Sequence, residues 1–320
     1  MSDLSVLLDA PRVKITAALS PIAGTRFQPT GFPDLGPATY TGPAGEDLLL
    51  VESAQSMANR LEAQLWDEAS NAPREPADKL PFIVVRNEAG AYLTSSRTES
   101  HRLASAYVKD ADFPDGKRGL QLLLDRMQLK AGQPINHQQV YRAVFDLDPL
   151  SLLHGVFFAD KDWPGQPKIA RAVTSFVEAR GVRPAHSGGV KFDHVSNKGD
   201  VGGSNAGKTA AEEGRGNVPY SRTEFVAETI EASFVVDTRQ IRSYGLERDK
   251  EELLLALALL EIRRMLDEGL RLRTACDLDV TEIVVERPAG ASLPDEDSLV
   301  KIVNDRVAEA VPPLVGTFGA

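Results

Sequence analysis

Residues 202–209 read "GGSNAGKT", which matches the glycine-rich phosphate loop of nucleotide hydrolases letter for letter. A working phosphate loop follows a buried strand and opens a helix, so that backbone N–H groups and the helix dipole converge on the phosphates. Here the preceding residues, "KFDHVSNKGDV", contain no apolar strand, and Gly214 and Gly216 interrupt any helix after about one turn. The sequence therefore predicts a glycine-rich loop with a few cations rather than a nucleotide site.

The histidines suggest metal binding only weakly. His186 and His194 flank Asp193 in the same glycine-rich region, and two imidazoles with a carboxylate can hold a metal ion. No third strong ligand lies near them, so we predict no metal site. His154 lies in an apolar run, which is typical of a hydrogen-bonded core histidine.

Other enzyme signatures are weak or missing. No Gly-x-Ser-x-Gly elbow of serine hydrolases occurs, and paired carboxylates such as Glu212 and Glu213 are typical of a solvated surface. The sequence predicts no catalytic residue and no cofactor.

The helix that begins near Ser53 is more informative. Ser53 is a plausible N-cap, and Ala54, Met57, Ala58, Leu61 and Leu65 form one apolar stripe. Away from that stripe, and close to the helix N-terminus, lie Gln55, Ser56, Asn59 and Arg60. Free N–H groups, neutral donors and an arginine together suit phosphate binding. An ordinary exposed helix face is the alternative.

The loop before this helix combines arginine with aromatic residues. Arg26, Phe27, Gln28 and Phe32 lie among prolines in "GTRFQPTGFPDLG". On a stiff loop, such residues suit base stacking and contacts to a nucleic-acid backbone. The alternative is that both phenylalanines fill the core.

Composition limits the class of protein. The 320 residues are 42% hydrophobic and 26% charged, which is ordinary for a soluble globular chain of one or two domains. A net charge of −10 argues against a free-standing, non-specific nucleic-acid binder but permits one local basic groove. The single Cys276, the lack of a long apolar run and the lack of a leader favour a cytoplasmic protein without membrane contact.

Hydrophobic periodicity predicts the main elements. We expect strands at 12–20, 81–86, 91–96, 151–159 and 279–287, with regular, one-sided apolar structure at 226–241. We expect helices at 52–70, 119–129, 168–181, 249–269 and 295–310. In the helix at 249–269, Asp249 and Glu252 resemble a capping box, Gly269 marks the end, and Leu253 to Leu260 are apolar all round.

The order of these elements predicts the fold class. Without loops and insertions, the chain reads strand, helix, strand and again strand, helix, strand, which is the split βαβ of ferredoxin-like and RNA-recognition folds. Residues 72–148 read as an insertion beside the main sheet. Residues 181–216 contain nine glycines and read as a loop that is disordered or becomes ordered on a ligand.

Five separated segments carry a family resemblance. They are "RFQPTGFPDLG", "LLLVESAQSMANRLE", "SSRTESHRLASAYV", "GNVPYSRTEF" and "EGLRLRTACDLD". Together they resemble the backbone subunit of type I-G (formerly I-U) CRISPR Cascade complexes, a member of the RAMP superfamily of guide-RNA-binding proteins. The similarity runs from about Arg12 to Asp279.

The resemblance implies a single RAMP-type domain over 1–320, with an α+β, ferredoxin-like palm and large insertions. It implies a finger near 72–148 and a glycine-rich thumb near 181–224. Such subunits polymerise along the CRISPR RNA in an antiviral ribonucleoprotein, with other Cascade subunits and a complementary target DNA strand as partners. They are non-catalytic, because a separate nuclease degrades the DNA.

The resemblance also implies an RNA-binding surface. The Gln-Ser of "ESAQSMANR" resembles the helix start that grips guide phosphates in other Cascade backbone subunits. The candidate RNA contacts are Arg26, Gln28, Ser53, Gln55, Ser56, Asn59, Arg60, His101, Arg102, Lys191, Arg222, Arg271 and Arg273. An alternative function is a RAMP endoribonuclease that cuts RNA with a loop aspartate, for which Asp34 stands in a broadly similar place.

Overall fold

The computed structural model describes residues 4–32, 36–191, 218–307 and 309–319. The strands are β1 (Val13–Pro21), β2 (Gly31–Phe32), β3 (Gly36–Pro37), β4 (Thr39–Thr41), β5 (Asp47–Glu52), β6 (Trp66–Asp67), β7 (Ala72–Pro73), β8 (Ile83–Asn87), β9 (Tyr92–Ser95), β10 (Val156–Phe157), β11 (Lys168–Ile169), β12 (Val173–Arg180), β13 (Arg183–Lys191), β14 (Val218–Val226), β15 (Thr229–Val236), β16 (Leu270–Arg273), β17 (Cys276–Arg287) and β18 (Leu314–Phe318).

The α-helices are α1 (Ser5–Asp9), α2 (Ala54–Ala63), α3 (Ala106–Asp110), α4 (Gly119–Met127), α5 (His137–Leu147), α6 (Leu150–His154), α7 (Thr238–Ser243), α8 (Arg248–Glu268) and α9 (Glu296–Arg306). Short 3-10 turns lie at Ala77–Lys79 and Arg102–Ala104. The mixed α+β architecture agrees with the prediction from element order.

A seven-stranded antiparallel sheet organises the chain, in the order β16-β17-β1-β15-β12-β5-β4. Strand β1 alternates as its sequence predicted: Val13, Ile15, Ala17 and Leu19 are buried in the core shared with α2 and α8. The intervening side chains of β1 lie on the opposite face of the sheet.

That opposite face carries a row of carboxylates. The strand register aligns Glu282 of β17, Ala18 of β1, Glu231 of β15 and Glu178 of β12 across four neighbouring strands. Glu178 accepts a 2.6 Å hydrogen bond from the Tyr40 hydroxyl and pairs with Arg180 at 3.3 Å. We call this row of three glutamates the acidic row.

Two predicted elements are wrong. Residues 168–181 were expected to form a helix, but they contain β11 and β12, and 151–159, expected as a strand, contain α6 and β10. In β12, Val173, Ser175, Val177 and Ala179 are buried, and the residues between them lie on the opposite face of the sheet. Pairing with β15 on one side and β5 on the other fixes this strand despite a local pattern compatible with a helix. An apolar run as short as residues 150–154 does not show whether its side chains repeat with the period of a helix or that of a strand.

Helix α8 confirms the strongest helix prediction. Leu253 to Leu260 are all buried, and the helix ends at Gly269, whose φ of +77° is the left-handed region that favours glycine. The predicted capping box is wrong: the N-cap is Glu247, with no side-chain cap. Asp249 and Glu252 instead pair with Arg306 of α9.

The 72–148 stretch contains the predicted hairpin, β8 with β9, and the predicted helix α4. It also contains α3 and α5, and β8 pairs in parallel with the C-terminal strand β18, which the sequence did not predict. Within 181–224, β13 and β14 form an antiparallel hairpin. Gly188 and Gly189 permit close contact there, since a Cβ on either would lie within 2.9 Å of Tyr220. The "GGSNAGKT" segment, His194 and Asp34 lie outside the described residues.

No helix in the described ranges is long and apolar enough to cross a membrane. In the same ranges, no three histidine, cysteine or acidic side chains form a group that could hold a metal ion.

A buried ion pair joins α6 to α8. The Nε2 atom of His154 on α6 lies 3.0 Å from both carboxylate oxygens of Glu261 on α8, and both side chains are fully buried. Burial lowers the pKa of His154, but the attraction of the Glu261 and Glu62 carboxylates outweighs it, so the pKa is raised above its usual 6.5. The prediction of a hydrogen-bonded core histidine is confirmed.

This pair should make stability depend on pH. Because the pKa of His154 is raised in the folded state, its stabilisation is complete below the unfolded pKa of about 6.5 and is lost as the pH rises through the folded pKa. Within that window the free energy of unfolding should fall by up to about 1.4 kcal/mol per pH unit from this group. Urea unfolding of the wild type and of His154→Gln at several pH values from 6 upward measures it. An identical slope in the variant would contradict the assignment.

Candidate nucleic-acid interface

Helix α2 presents a polar N-terminus, as predicted. Ser53 is its N-cap, and its Oγ accepts the Ser56 backbone N–H at 3.3 Å. The Gln55 and Asn59 side chains are exposed, and the Gln55 amide donates to the Asn59 oxygen at 3.2 Å. Of the predicted apolar stripe, Met57, Ala58, Leu61 and Leu65 are buried, whereas Ala54 is exposed.

Glu52 joins α2 to the edge strand β16. Its buried carboxylate lies 3.6 Å from Arg60 Nη2 and also accepts a hydrogen bond from Arg273. Arg60 further donates to the backbone carbonyls of Arg271 and Leu272. Arg60 is therefore more constrained than an ordinary exposed helix residue, although a third of its side chain remains exposed.

Arg273 extends this network to the early loop. Its Nη1 donates to the Gln28 carbonyl at 2.7 Å and to the Val51 carbonyl at 3.2 Å. The Gln28 N–H donates to the Ala275 carbonyl at 2.7 Å, so both the N–H and the carbonyl of Gln28 are hydrogen-bonded to this part of the chain. Phe27 is fully buried and pairs through its backbone with Phe225, so for this phenylalanine the core alternative is confirmed and the base-stacking interpretation is wrong.

A second carboxylate joins the loop to the β13–β14 hairpin. Glu224 lies 3.4 Å from Arg26 Nη1 and 3.6 Å from Arg222 Nη1, and it accepts the Ser187 hydroxyl at 2.8 Å. The Arg26 side chain is 54% exposed, and the Arg222 guanidinium lies 5.4 Å from the centre of the exposed Tyr220 ring. Both arginines therefore retain solvent-facing surface, and Arg222 does so beside an aromatic ring.

Arg171 is a site residue that sequence reasoning missed. It lies just before β12 and donates to the Gln55 side-chain oxygen, which places another cation at the N-terminus of α2. Only the fold brings residue 171 to residue 55, because β12 packs against α2, so no local sequence signal identified it.

The remaining candidates differ in accessibility. Arg271 and His101 are exposed, and within the described residues no hydrogen bond or ion pair engages the Arg271 side chain. Arg102 is only 8% exposed and is held by Glu62 at 2.8 Å and the Gly155 carbonyl at 2.9 Å. That burial leaves no free guanidinium face for a phosphate. Lys191 ends β13, and its side chain lies outside the described atoms.

These contacts form one continuous path. The path begins at Arg171 and Gln55 and follows α2 to Arg60. Glu52 and Arg273 then connect Arg60 to the loop at Gln28 and Arg26. Glu224 connects Arg26 to Arg222. We call this path the arginine track; its arginines are 26, 60, 171, 222, 271 and 273, and its carboxylates are Glu52 and Glu224. The arginine track is a local positive surface on a chain with a net charge of −10.

Residues 13–184, just over half of the chain, match the family described as CRISPR-associated protein GSU0053. Among solved structures, a chain from "CRISPR RNA-guided surveillance complex, pre-nicking" aligns at 12% identity and a TM-score of 0.40, covering 79% of this chain and 69% of that one. Csc2 of Thermofilum pendens aligns at 9% identity and a TM-score of 0.31, covering 93% and 76%. No curated protein matches the chain.

Proposed function

Because the chain belongs to the family of CRISPR-associated protein GSU0053, we propose that it is a non-catalytic, guide-RNA-binding backbone subunit of a type I surveillance complex. The resemblance of five sequence segments to type I-G backbone subunits supports the finer subtype. In this proposal copies of the chain assemble along the CRISPR RNA in the cytoplasm, together with other Cascade subunits, and the complex targets a complementary DNA strand.

The arginine track is the observation that carries the proposal. Single-stranded RNA is bound through phosphates along a cationic path, and its bases stack on exposed aromatic side chains. Arg26 and Arg271 supply exposed guanidinium groups, Arg222 supplies a half-buried one, and Tyr220 supplies an exposed ring beside Arg222. The amides of Gln55 and Asn59 add neutral donors at a helix N-terminus, where anions are favoured.

The tied arginines have a positioning role in this proposal. Glu52 and the backbone carbonyls hold Arg60 and Arg273, so their charge is fixed in place before RNA arrives. A fixed charge contributes to binding without the cost of ordering a long side chain. We exclude Arg102 from the proposed contacts because of its burial.

The sheet order supports a ferredoxin-like palm. The strands β17, β1, β15 and β12 lie side by side, with α2 between β1 and β12 in the chain and α8 between β15 and β17. An RNA-recognition motif binds RNA on its open sheet face through aromatic residues. The acidic row makes that face unfavourable for RNA here, so we propose that the guide lies at the arginine track instead.

The two insertions take the roles of finger and thumb. We propose that 72–148, which is built around the β8–β9 hairpin and α3–α5, is the finger. We propose that 181–224 is the thumb, with the β13–β14 hairpin as its stem. Arg26 and Arg222 meet at that stem through Glu224, and this contact supports a thumb beside the proposed guide path.

Expression with a CRISPR array tests the proposal. We expect the purified protein to carry nuclease-protected RNA, with several copies on each RNA in native mass spectrometry. Incubating this complex with a complementary RNA and magnesium tests the endoribonuclease alternative, and we expect the target to remain intact. An RNA-free monomer that also ignores added guide would contradict the proposal.

A further inference from the structure

A small recess lies where α2, the turn after β9 and the start of α6 meet, and its volume is about 10 Å³. Its polar wall is formed by Arg97, Arg102, Glu62 and Asp148, and Leu65 adds apolar surface. A space of this size holds about one water molecule. The recess is therefore a site for one small molecule or ion and not for a nucleotide or a side chain of another protein.

Arg97 brings an unsatisfied hydrogen-bond donor to this wall. Its side chain is 3% exposed, and its terminal nitrogens donate to the carbonyls of Ala77 at 2.9 Å and Leu80 at 3.3 Å. Its Nε atom has no hydrogen-bond partner within the described residues, since Asp148 Oδ1 lies 3.8 Å away. A buried N–H without a partner is destabilising, so a molecule that accepts its hydrogen bond is favoured here.

Asp148 offers the matching acceptor. Its Oδ2 atom accepts the hydroxyls of Ser96 at 2.8 Å and Ser151 at 3.3 Å. Its Oδ1 atom accepts only the Leu150 N–H, at 3.2 Å, among the hydrogen bonds of the described residues. Because a carboxylate oxygen has two lone pairs, Oδ1 can accept one more hydrogen bond. A molecule between Arg97 Nε and Asp148 Oδ1 can thus accept from one atom and donate to the other.

The charges around the recess favour a neutral molecule. Arg97 faces Asp148, and Arg102 contacts Glu62 at 2.8 Å, so two positive and two negative groups line it. A chloride ion would be repelled by the two carboxylates, and a metal ion by the two guanidinium groups. Water carries no charge and can accept and donate hydrogen bonds at once.

We propose that the recess binds one ordered water molecule, which accepts the Arg97 Nε–H and donates to Asp148 Oδ1. A single water reaches both atoms, because two hydrogen bonds of about 2.7–3.2 Å span a separation of 3.8 Å. Its second hydrogen is available to Glu62, whose Oε2 atom makes no hydrogen bond within the described residues, as Arg102 uses Oε1. The water bridges a buried ion pair, and this inference does not depend on the proposed RNA binding.

Crystallography at a resolution that shows ordered waters tests the site. We expect one density peak at about 2.7–3.2 Å from both Arg97 Nε and Asp148 Oδ1. In crystals soaked in bromide, which replaces chloride and scatters anomalously, this peak should give no anomalous signal. A recess without a peak, or with an anomalous bromide peak, would overturn the proposal. The wild-type protein alone decides this test.

A variant that fills the recess provides a second test, in solution. Ser151→Val replaces a hydroxyl on the recess wall by two methyl groups and loses a 3.3 Å hydrogen bond to Asp148. Magnetic relaxation dispersion of the water oxygen nucleus counts long-lived waters, and it should find one fewer in this variant than in the wild type. The control Ser233→Val makes the same replacement outside the recess and loses a hydrogen bond of 3.3 Å to Glu231, and it should keep the wild-type count. Equal counts in all three proteins would overturn the water site.

Discussion

Changing Arg26, Arg222 and Arg271 to glutamate together should lower the affinity for guide RNA by roughly a hundredfold or more at physiological salt. These arginine-track side chains keep accessible surface and, unlike Arg60 and Arg273, are not held by Glu52 and backbone carbonyls; charge-assisted hydrogen bonds contribute about 1.5–3 kcal/mol each. The slope of log affinity against log salt should also become less steep by about 2, since each neutralised phosphate of a single strand contributes about 0.7. Fluorescence anisotropy over a salt series measures both quantities.

A control with the same change in charge is available. Arg126, Arg142 and Arg287 are exposed and, within the described residues, make no hydrogen bond or ion pair through their side chains. Their replacement by glutamate changes the net charge equally but leaves the arginine track intact. If this control weakens binding as much as the track variant does, the overall charge and not the track governs RNA binding, and the proposed guide path is wrong.

Arg97→Met should cost about 3–5 kcal/mol of folding free energy. Arg97 and Asp148 are fully buried partners, and removing one leaves the other charge without compensation. Burial lowers the pKa of Arg97 and raises the pKa of Asp148, in both cases because the charged form is desolvated. Urea unfolding of the wild type and the variant measures the loss.

The double variant Arg97→Met/Asp148→Asn separates the charge effect from packing. It removes both charges, while Ser96 and Ser151 can still hydrogen-bond the amide at position 148. We expect it to be more stable than Arg97→Met alone. A double variant that loses the sum of the two single losses would show that the ion pair itself does not matter.

The sequence predicted those elements of the fold whose burial is periodic or complete. Strand β1 alternates, and α8 is apolar all round over more than two turns, so neither has a competing local interpretation. Strand β12 was misread because its pattern, "VTSFVEAR", is compatible with a helix and its identity depends on partners at 229–236 and 47–52. Strand β18 was missed because its pairing with β8 joins residues more than 220 positions apart.

The sequence predicted the residue types of the candidate site better than it predicted the role of each residue. The exposed amides of α2 and the arginine at position 26 were identified from helix position and loop composition. That Arg60, Arg102 and Arg273 hold protein carboxylates and carbonyls was not predictable, because their partners come from distant segments. The sequence shows that an arginine is present, but only the fold shows which carboxylate or carbonyl its side chain contacts.

The net acidity of the chain is compatible with the proposed RNA binding, because the cations involved are local. The chain carries 46 acidic and 36 basic residues, yet the arginine track has six arginines against two carboxylates. Phosphate contacts require one such stripe and not a basic protein as a whole. The remaining acidic surface is available for other purposes.

The acidic row has one such purpose. Its three glutamates occupy facing positions on neighbouring strands, and within the described residues only Glu178 has a cation partner, Arg180 at 3.3 Å. If guide RNA lies on the arginine track, as we propose, its phosphates would be disfavoured at these carboxylates by the like charge. Strand register would then help to keep the backbone of the RNA away from the middle of the sheet.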